Sequence, residues 1–471
     1  MDAGQNNSAS GTARDIATRA RAASQKFIAL PTRVRDAILH AIADALLANE
    51  ELIKTENEKD VKEAKGKISD ALMQRLKLKP NKMKTLHDGI HSIANQEEPI
   101  GSVIERMEVA KDLVLEKVKA PIGVLMIIFE ARPDSLPQIA ALSIRSGNGL
   151  LLKGGKEAMN SNRILHKIIC DVIEAGAPSV GRDLIALVES RDEIGDLLKL
   201  DGAIDLVIPR GSGQLVSYIQ KNTKIPVLGH ADGICHVYVD EDADFDMALK
   251  ICVDAKIDYP AACNAVEKII VHSSWSGHNG VDRLLDAMKS EGVVVHGGLK
   301  ASDALKLPRA PSDRHEYSDK AVTLEVVSSV DEAIEHINKF GSHHTDAIVT
   351  QNEQTAEDFL QRVDSACVFH NTSTRFSDGF RFGLGSEVGI STGRIHARGP
   401  VGVEGLLSDK WLLRGTGQVV DKDRNIQYTH KRLSVTPGAT SLAVCGFGLG
   451  VAAGVCIAAL CGLLKGLGRR S

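Results

Sequence analysis

This 471-residue chain has no excess of positive charge: 61 acidic residues outnumber 57 lysines and arginines, and the formal net charge at pH 7 is -4. A nucleic-acid-binding protein needs a basic domain or stripe, so the charge balance argues against nucleic acid as a partner. Residues 1–7 are polar and lack the basic and then apolar pattern of a secretory signal. We therefore expect the body of the protein in the cytoplasm, with reduced thiols.

Paired cysteines are also missing, because none of the eight cysteines has a partner at Cys-x-x-Cys spacing. His87 with His91, and His230 with His236, have the histidine spacing of a zinc finger, but neither pair follows a cysteine pair. A structural zinc site normally combines the two patterns. The sequence therefore predicts no metal site.

Charged residues are absent from residues 433–464 near the C-terminus. About 20 apolar residues suffice to cross a bilayer as a helix. Gly446, Gly450 and Gly454 have the small-xxx-small spacing of packed membrane helices. We expect this tail to anchor the protein to an intracellular membrane; a glycine-rich, poorly packed tail is the alternative.

What the chain does contain is alternating helical and strand patterns. Residues 12–113 are predicted to be helical, with apolar side chains at helical spacing over residues 33–53. An uninterrupted apolar run ending at Phe129 predicts a strand buried on both faces. From there to His370, short apolar runs alternate with helical patterns, which is typical of open, mostly parallel sheets. We expect two α/β domains that meet near residue 230.

Cys263 lies in the segment 258–265, between a Tyr-Pro pair and an apolar run. A single cysteine near a proline is more often a small buried hydrophobic residue than a nucleophile. Both interpretations remain open on these residues alone.

Lys153, Gly211 and Ser212 lie where predicted strands end. Ligands bind at the carboxyl ends of strands in open α/β sheets, and a glycine turn before a helix can hold a phosphate. The turn is neither a GxGxxG nor a Walker A sequence. A simple tight turn and a solvated lysine are the alternatives.

Arginines and histidines stand out at a few further positions. Arg132 and Arg398 each lie beside a proline or glycine, and arginine binds carboxylate or phosphate in a bidentate way; a structural salt bridge is the alternative for each. His343 and His344 are adjacent, and on an extended strand they would face opposite ways. For these two and for His230 we expect structural or solvent-facing roles.

Seven segments taken together resemble the γ-glutamyl phosphate reductases of the aldehyde dehydrogenase superfamily. They are residues 129–134, 146–149, 152–157, 208–212, 259–264, 341–348 and 396–400. The resemblance extends over residues 13–430, and it is closer to the reductase half of a bifunctional plant enzyme, without its kinase half.

The resemblance implies an α/β, aldehyde dehydrogenase-like fold: two Rossmann-like open sheets, a small oligomerisation flap and an extra apolar tail. It also implies a homo-oligomer. The implied domains are 1–230 (helical N-terminus and NADP-binding domain, with a flap segment near 109–118), 231–400 (catalytic cysteine domain), 401–430 (oligomerisation segment) and 431–471 (tail).

Site roles follow from the resemblance as well. Cys263 takes the nucleophile's place. Glu325 falls where the family contacts the nicotinamide ribose. The implied sets are Cys263, Asn264 and Asp134 for catalysis; Lys153, Gly211, Ser212 and Glu325 for the cofactor; and Arg132, Tyr259 and Arg398 for the substrate.

Two departures from the superfamily bear on the chemistry. Hydrolytic aldehyde dehydrogenases carry a glutamate base in a segment that here contains His230 (residues 228–233, LGHADG). Asp134 stands where an asparagine is common, and an ionised aspartate cannot donate to an oxyanion. The backbone N–H of Cys263 is then expected to carry more of that role.

The implied reaction is NADPH-dependent reduction of L-glutamate 5-phosphate to L-glutamate 5-semialdehyde through a Cys263 thioester, the second step of proline biosynthesis. One alternative is another acyl phosphate or aldehyde as substrate. The other is a membrane-tethered scaffold with weak catalysis.

Overall fold

The computed structural model describes residues 13–189, 192–420 and 426–435. The predicted membrane anchor therefore lies outside the described residues, apart from its first positions. None of the described helices is long and apolar enough to cross a membrane.

Helices and strands alternate through most of the described chain. The α-helices are α1 Ala13–Ile28, α2 Thr32–Ala48, α3 Glu50–Ala64, α4 Asp70–Leu76, α5 Lys82–Ala94, α6 Ser135–Arg145, α7 Met159–Gly176, α8 Asp192–Leu197, α9 Gly213–Asn222, α10 Phe245–Ile257, α11 Gly280–Ser290, α12 Ala301–Leu305, α13 Val330–Phe340 and α14 Glu353–Arg362. The strands are β1 Val103–Ala110, β2 Leu113–Pro121, β3 Val124–Phe129, β4 Gly149–Lys153, β5 Ile185–Leu187, β6 Leu206–Arg210, β7 Cys235–Val239, β8 Val266–His272, β9 Val294–Gly297, β10 Ala321–Val327, β11 Thr345–Val349, β12 Cys367–His370, β13 Ile390–Ser391, β14 Gly399–Pro400, β15 Leu407–Arg414 and β16 Tyr428–Arg432.

Two parallel sheets form the centres of the two α/β units. The first has the strand order β5-β4-β3-β6, and the second has the order β12-β11-β7-β8-β10-β9. All six residues of β3 are buried, because helices cover both faces of this sheet. The predicted alternation and its parallel sheets are thus confirmed. The division at residue 230 stays a prediction; the two sheets lie on either side of it.

The helical prediction for residues 12–113 is wrong at its C-terminal end. The helices stop at Ala94, and residues 103–110 form β1. Strand β1 pairs with β2 in a four-stranded antiparallel sheet of order β15-β2-β1-β16. The two segments predicted to build the flap therefore lie in one sheet, while its part in oligomerisation stays a prediction.

After β12 the chain returns to the first α/β unit. Val388, Val401 and Leu406 are buried in the same core as β3 and β4. Gln96, after α5, donates from Nε2 to the Leu384 carbonyl at 3.1 Å. The segment 384–407, which we call the return segment, therefore packs on the first unit although it follows the second.

Candidate active site

The predicted nucleophile and the predicted phosphate turn line one cavity of about 920 Å³. In the first sheet, β3, β4 and β6 all run towards it and end at Phe129, Lys153 and Arg210. On the opposite side the chain turns from α10 into β8 and carries Cys263. The cavity therefore lies between the carboxyl ends of one sheet and the amino end of a strand in the other.

Cys263 lies beside two histidines from distant parts of the chain. Its Sγ and ring nitrogens of His230 and His344 all lie within 4.8 Å of one another. His230 Nδ1 is 2.7 Å from the carbonyl oxygen of Ile390, which can only accept, so Nδ1 carries a proton and Nε2 is left for the sulfur. His344 Nδ1 is 2.9 Å from Thr345 Oγ1.

These histidines determine the charge state of the thiol. Burial alone would raise the pKa of Cys263, but the charge of His344 and the interaction with His230 lower it well below its usual value. Burial opposes a charge on His230, yet its interaction with the Cys263 sulfur raises its pKa to about 9. The site therefore favours a thiolate and an imidazolium at neutral pH.

Gly233 packs directly against the backbone of the nucleophile. A Cβ atom at this position would lie 2.4 Å from the Cys263 carbonyl oxygen and 2.7 Å from its Cα. Only a glycine allows such an approach. This close packing fixes the position of the Cys263 backbone relative to the cavity.

The turn before α9 has the features of an anion site. Gly211 and Ser212 connect β6 to α9, and Ser212 caps the helix by accepting from Leu215 N at 3.4 Å. A Cβ on Gly211 would lie 2.7 Å from the Glu130 carboxylate. Lys153 is buried beside the turn, and its Nζ donates to the Gly154 carbonyl at 2.7 Å. The Ser212 backbone N–H already donates to the Glu130 carboxylate at 3.1 Å, so a dinucleotide phosphate at this helix N-terminus would have to displace that carboxylate.

Two of the four arginines that line the cavity are Arg132, which follows β3, and Arg210, which ends β6. Arg210 Nη1 donates to the Glu387 carbonyl at 3.2 Å. Burial lowers the pKa of Arg210, while the Glu387 carboxylate opposes that effect. Burial also raises the pKa of Glu387. The cavity thus offers two guanidinium groups to an anionic substrate.

Asn264 and Tyr259 also line the cavity. Asn264 Nδ2 donates to the Ser377 carbonyl at 2.7 Å, while its buried Oδ1 has no partner among the described residues. Tyr259 is 42% exposed and lies at the rim. The unpaired Oδ1 is an acceptor available to a donor group of a ligand.

Three sequence-predicted residues are not among the described residues that line the cavity, and their roles stay predictions. Asp134 pairs with Lys82 Nζ at 2.6 Å. Glu325 accepts from the backbone N–H of Lys300 and Ala301, both at 3.1 Å. Arg398 borders a separate cavity of about 1030 Å³. It forms an ion pair with Asp364, in the loop before β12.

His230 and His344 were not expected at the site. The assumption of an extended strand fails at His343, whose φ is 59°, in the left-handed region. Only His344 then enters the cluster beside the sulfur. For His230 the sequence did hold a signal, because it occupies the segment where hydrolytic relatives carry their base.

Comparison with known proteins gives consistent matches. The model of the aldehyde dehydrogenase family matches residues 4–297. Delta-1-pyrroline-5-carboxylate synthase 1 from Oryza sativa subsp. japonica is 59% identical over 89% of this chain, which spans 58% of that relative's length. Gamma-glutamyl phosphate reductase from Haloquadratum walsbyi is 43% identical, over 87% of this chain and 92% of its own. The crystal structure of gamma-glutamyl phosphate reductase from Thermotoga maritima superposes with a TM-score of 0.82 at 33% identity, covering 87% of this chain and 100% of that one.

Proposed function

Because the chain belongs to the aldehyde dehydrogenase family of oxidoreductases, we propose that it reduces L-glutamate 5-phosphate to L-glutamate 5-semialdehyde with NADPH and releases phosphate. The observation that carries this proposal is Cys263 beside two histidines in a cavity that also presents arginine side chains. The relatives named gamma-glutamyl phosphate reductase support the choice of substrate.

The first step is attack of the Cys263 thiolate on the acyl carbon, which forms a thioester and breaks the bond to phosphate. The negative charge that holds a proton on His230 disappears when the sulfur is acylated. The pKa of His230 then falls, and its proton passes to the departing phosphate. Arg132 and Arg210 bind the substrate's phosphate and carboxylate groups.

The carbonyl oxygen gains negative charge during each step and needs a donor. Asp134 cannot supply one, since it is paired with Lys82 as a carboxylate. The N–H groups of Ala262 and Ala265 donate within the loop, to Tyr259 and Ala262 carbonyls at 3.0 Å. We propose that the backbone N–H of Cys263 donates a hydrogen bond to this oxyanion and stabilises it.

The cofactor is held by the groups at the carboxyl ends of β4 and β6. The N-terminus of α9 with Gly211 and Ser212 binds its diphosphate, and Lys153 binds the adenosine ribose or its 2′-phosphate. When bound, the reduced nicotinamide supplies the hydride that reduces the thioester carbon. Collapse of the resulting thiohemiacetal oxyanion restores the Cys263 thiolate without a further proton.

The charge state of His230 changes during the reaction. Its pKa of about 9 in the free enzyme means that it carries a proton at neutral pH and cannot act as a base while the thiolate is present. In the thioester state it has given its proton to phosphate and is neutral, so hydride transfer to the thioester must be faster than attack by water.

The test is phosphate-dependent reduction of NADP⁺ by glutamate 5-semialdehyde, the reverse reaction. Cys263→Ser should abolish it while the folded protein is retained, as judged by circular dichroism. The matched control is Cys252→Ser, since burial in α10 raises the pKa of Cys252 to about 12 and leaves that thiol inert. Full activity of Cys263→Ser would refute the proposal, and NADP⁺ reduction without phosphate would point to a different acyl acceptor.

A further inference from the structure

A cluster of metal-binding groups lies on the two helices α2 and α5, apart from the active site. Asp44 is on α2, and His87 and His91 are one turn apart on α5. One ligand atom from each of the three lies within 4.8 Å of the others. His87 and His91 have the i, i+4 spacing that brings two side chains to the same face of a helix.

The three atoms are placed as the corners of a coordination site. The Nε2 atoms of His87 and His91 are 3.0 Å apart. Asp44 Oδ1 is 3.2 Å from the first and 3.3 Å from the second. In a tetrahedral zinc site with bonds of about 2.0–2.1 Å, neighbouring ligand atoms lie roughly 3.3 Å apart.

The remaining ring nitrogens are already engaged. His87 Nδ1 is 2.9 Å from the Asp88 carboxylate, which can only accept, so Nδ1 carries a proton; a metal ion at Nε2 would take the place of the proton that this nitrogen shares with Asp44 when no ion is bound. His91 Nδ1 is 2.6 Å from His40 Nδ1. Such partners orient metal-binding histidines and fix their tautomers.

This arrangement needs a cation at its centre. The lone pairs of two imidazoles and a carboxylate oxygen repel one another when they converge on one point. A proton can serve one pair of these atoms at a time, whereas one metal ion serves all three. The side chains of His87 and His91 are 23% and 27% exposed and that of Asp44 is 45% exposed, so the fourth position is open to water.

We propose that Asp44, His87 and His91 bind a divalent transition-metal ion, with Zn²⁺ as the best fit to two imidazoles and a carboxylate. The ion cross-links α2 to α5. Gln96, two residues after α5, donates to the carbonyl of Leu384 in the return segment. The cross-link therefore stabilises the wall of the first domain against which that segment packs.

The experiment measures Zn²⁺ binding to the full chain, prepared without a histidine tag and stripped with a chelator. Isothermal titration is carried out in a Cys263→Ser background, because the thiolate with its two histidines also offers metal ligands. We expect one equivalent of Zn²⁺ and a metal-dependent rise in Tm. His91→Gln and Asp44→Asn should weaken binding more than about 100-fold, and His40→Gln by roughly 10-fold.

His430→Gln is the matched control, because this histidine is exposed on β16, outside the cluster. Melting curves without metal report whether each variant is folded. Binding of Co²⁺ gives a second readout: its visible spectrum should lack the thiolate charge-transfer band and disappear with His91→Gln. Equal Zn²⁺ affinity in His91→Gln and His430→Gln would overturn the proposal, as would no binding by the Cys263→Ser chain.

Discussion

Replacing both histidines beside Cys263 by glutamine should abolish the unusual acidity of this thiol. An unperturbed thiol has a pKa of about 8.5 and is only about 3% ionised at pH 7. The wild-type pKa lies well below the usual value, so its thiolate predominates there. The thiolate fraction at pH 7 should thus fall about 30-fold in His230→Gln/His344→Gln.

That figure is a lower limit. Burial raises the pKa of Cys263 once the two opposing imidazoles are gone, so the variant should titrate at or above the ordinary value. The sign follows from the direction of the shift. As pH falls, the wild-type thiolate therefore persists to a lower pH than the thiolate of the variant, whose ionised fraction drops about tenfold for each pH unit below its own pKa.

The assay is the pH dependence of iodoacetamide alkylation at Cys263, followed by mass spectrometry. The midpoint of the profile is the quantity to compare, because a thiolate of lower pKa is intrinsically less nucleophilic and absolute rates would partly cancel. Each single variant should give an intermediate midpoint. The control is His430→Gln. A double variant whose midpoint equals that of the wild type would refute the assignment of thiol acidity to these histidines.

Three further substitutions test separate parts of the structure. Gly233→Ala should lower kcat at least 10-fold, since its Cβ would lie 2.7 Å from Cys263 Cα and misplacing a reacting group by about 1 Å costs on that order or more. Asp134→Asn should leave kcat within about 3-fold. It should lower the free energy of unfolding by at most ~1 kcal/mol, because it removes only a partly exposed ion pair with Lys82. Ile127→Ala should destabilise the first domain by about 2–5 kcal/mol, since this β3 side chain is fully buried.

Kinetics and urea denaturation of the same preparations separate these effects. A fully active Gly233→Ala enzyme would show that the Cys263 loop is not held by this contact. A large loss of kcat in Asp134→Asn, with unchanged stability, would support the predicted catalytic role of Asp134. An unfolding midpoint unaffected by Ile127→Ala would contradict the placement of β3 in the core.

The sequence predicts the two sheets, which are confirmed, and a nucleophile at Cys263, which stays a prediction, for different reasons. Strands covered on both faces appear in the sequence as short apolar runs, separated here by helical patterns. This pattern depends only on neighbouring residues, so it can be recognised without the structure. Cys263 and the Gly211–Ser212 turn lie at the ends of such elements, so their positions followed. The role of Cys263 depended on the resemblance, because a lone cysteine has no local signature.

What failed to be predicted depends on contacts between distant residues. His230 and His344 are 114 positions apart, and their meeting at one sulfur is set by how β11 aligns with the loop before β7. Arg398 and Glu325 contact Asp364 and the start of α12, and their predicted roles in substrate and cofactor binding stay predictions. The helical prediction for residues 103–110 is wrong because the pairing of β1 with β16 is long-range and leaves no mark in the neighbouring sequence.

The return segment limits how such proteins can be cut and recombined. A catalytic half excised as residues 231–400 would take Val388 with it and leave the core around β3 with an open face. It would also carry away Ile390, whose carbonyl orients His230 on the other half. A functional chimera between two relatives would therefore need two crossover points, near residues 230 and 380, so that the return segment is inherited with the N-terminal half.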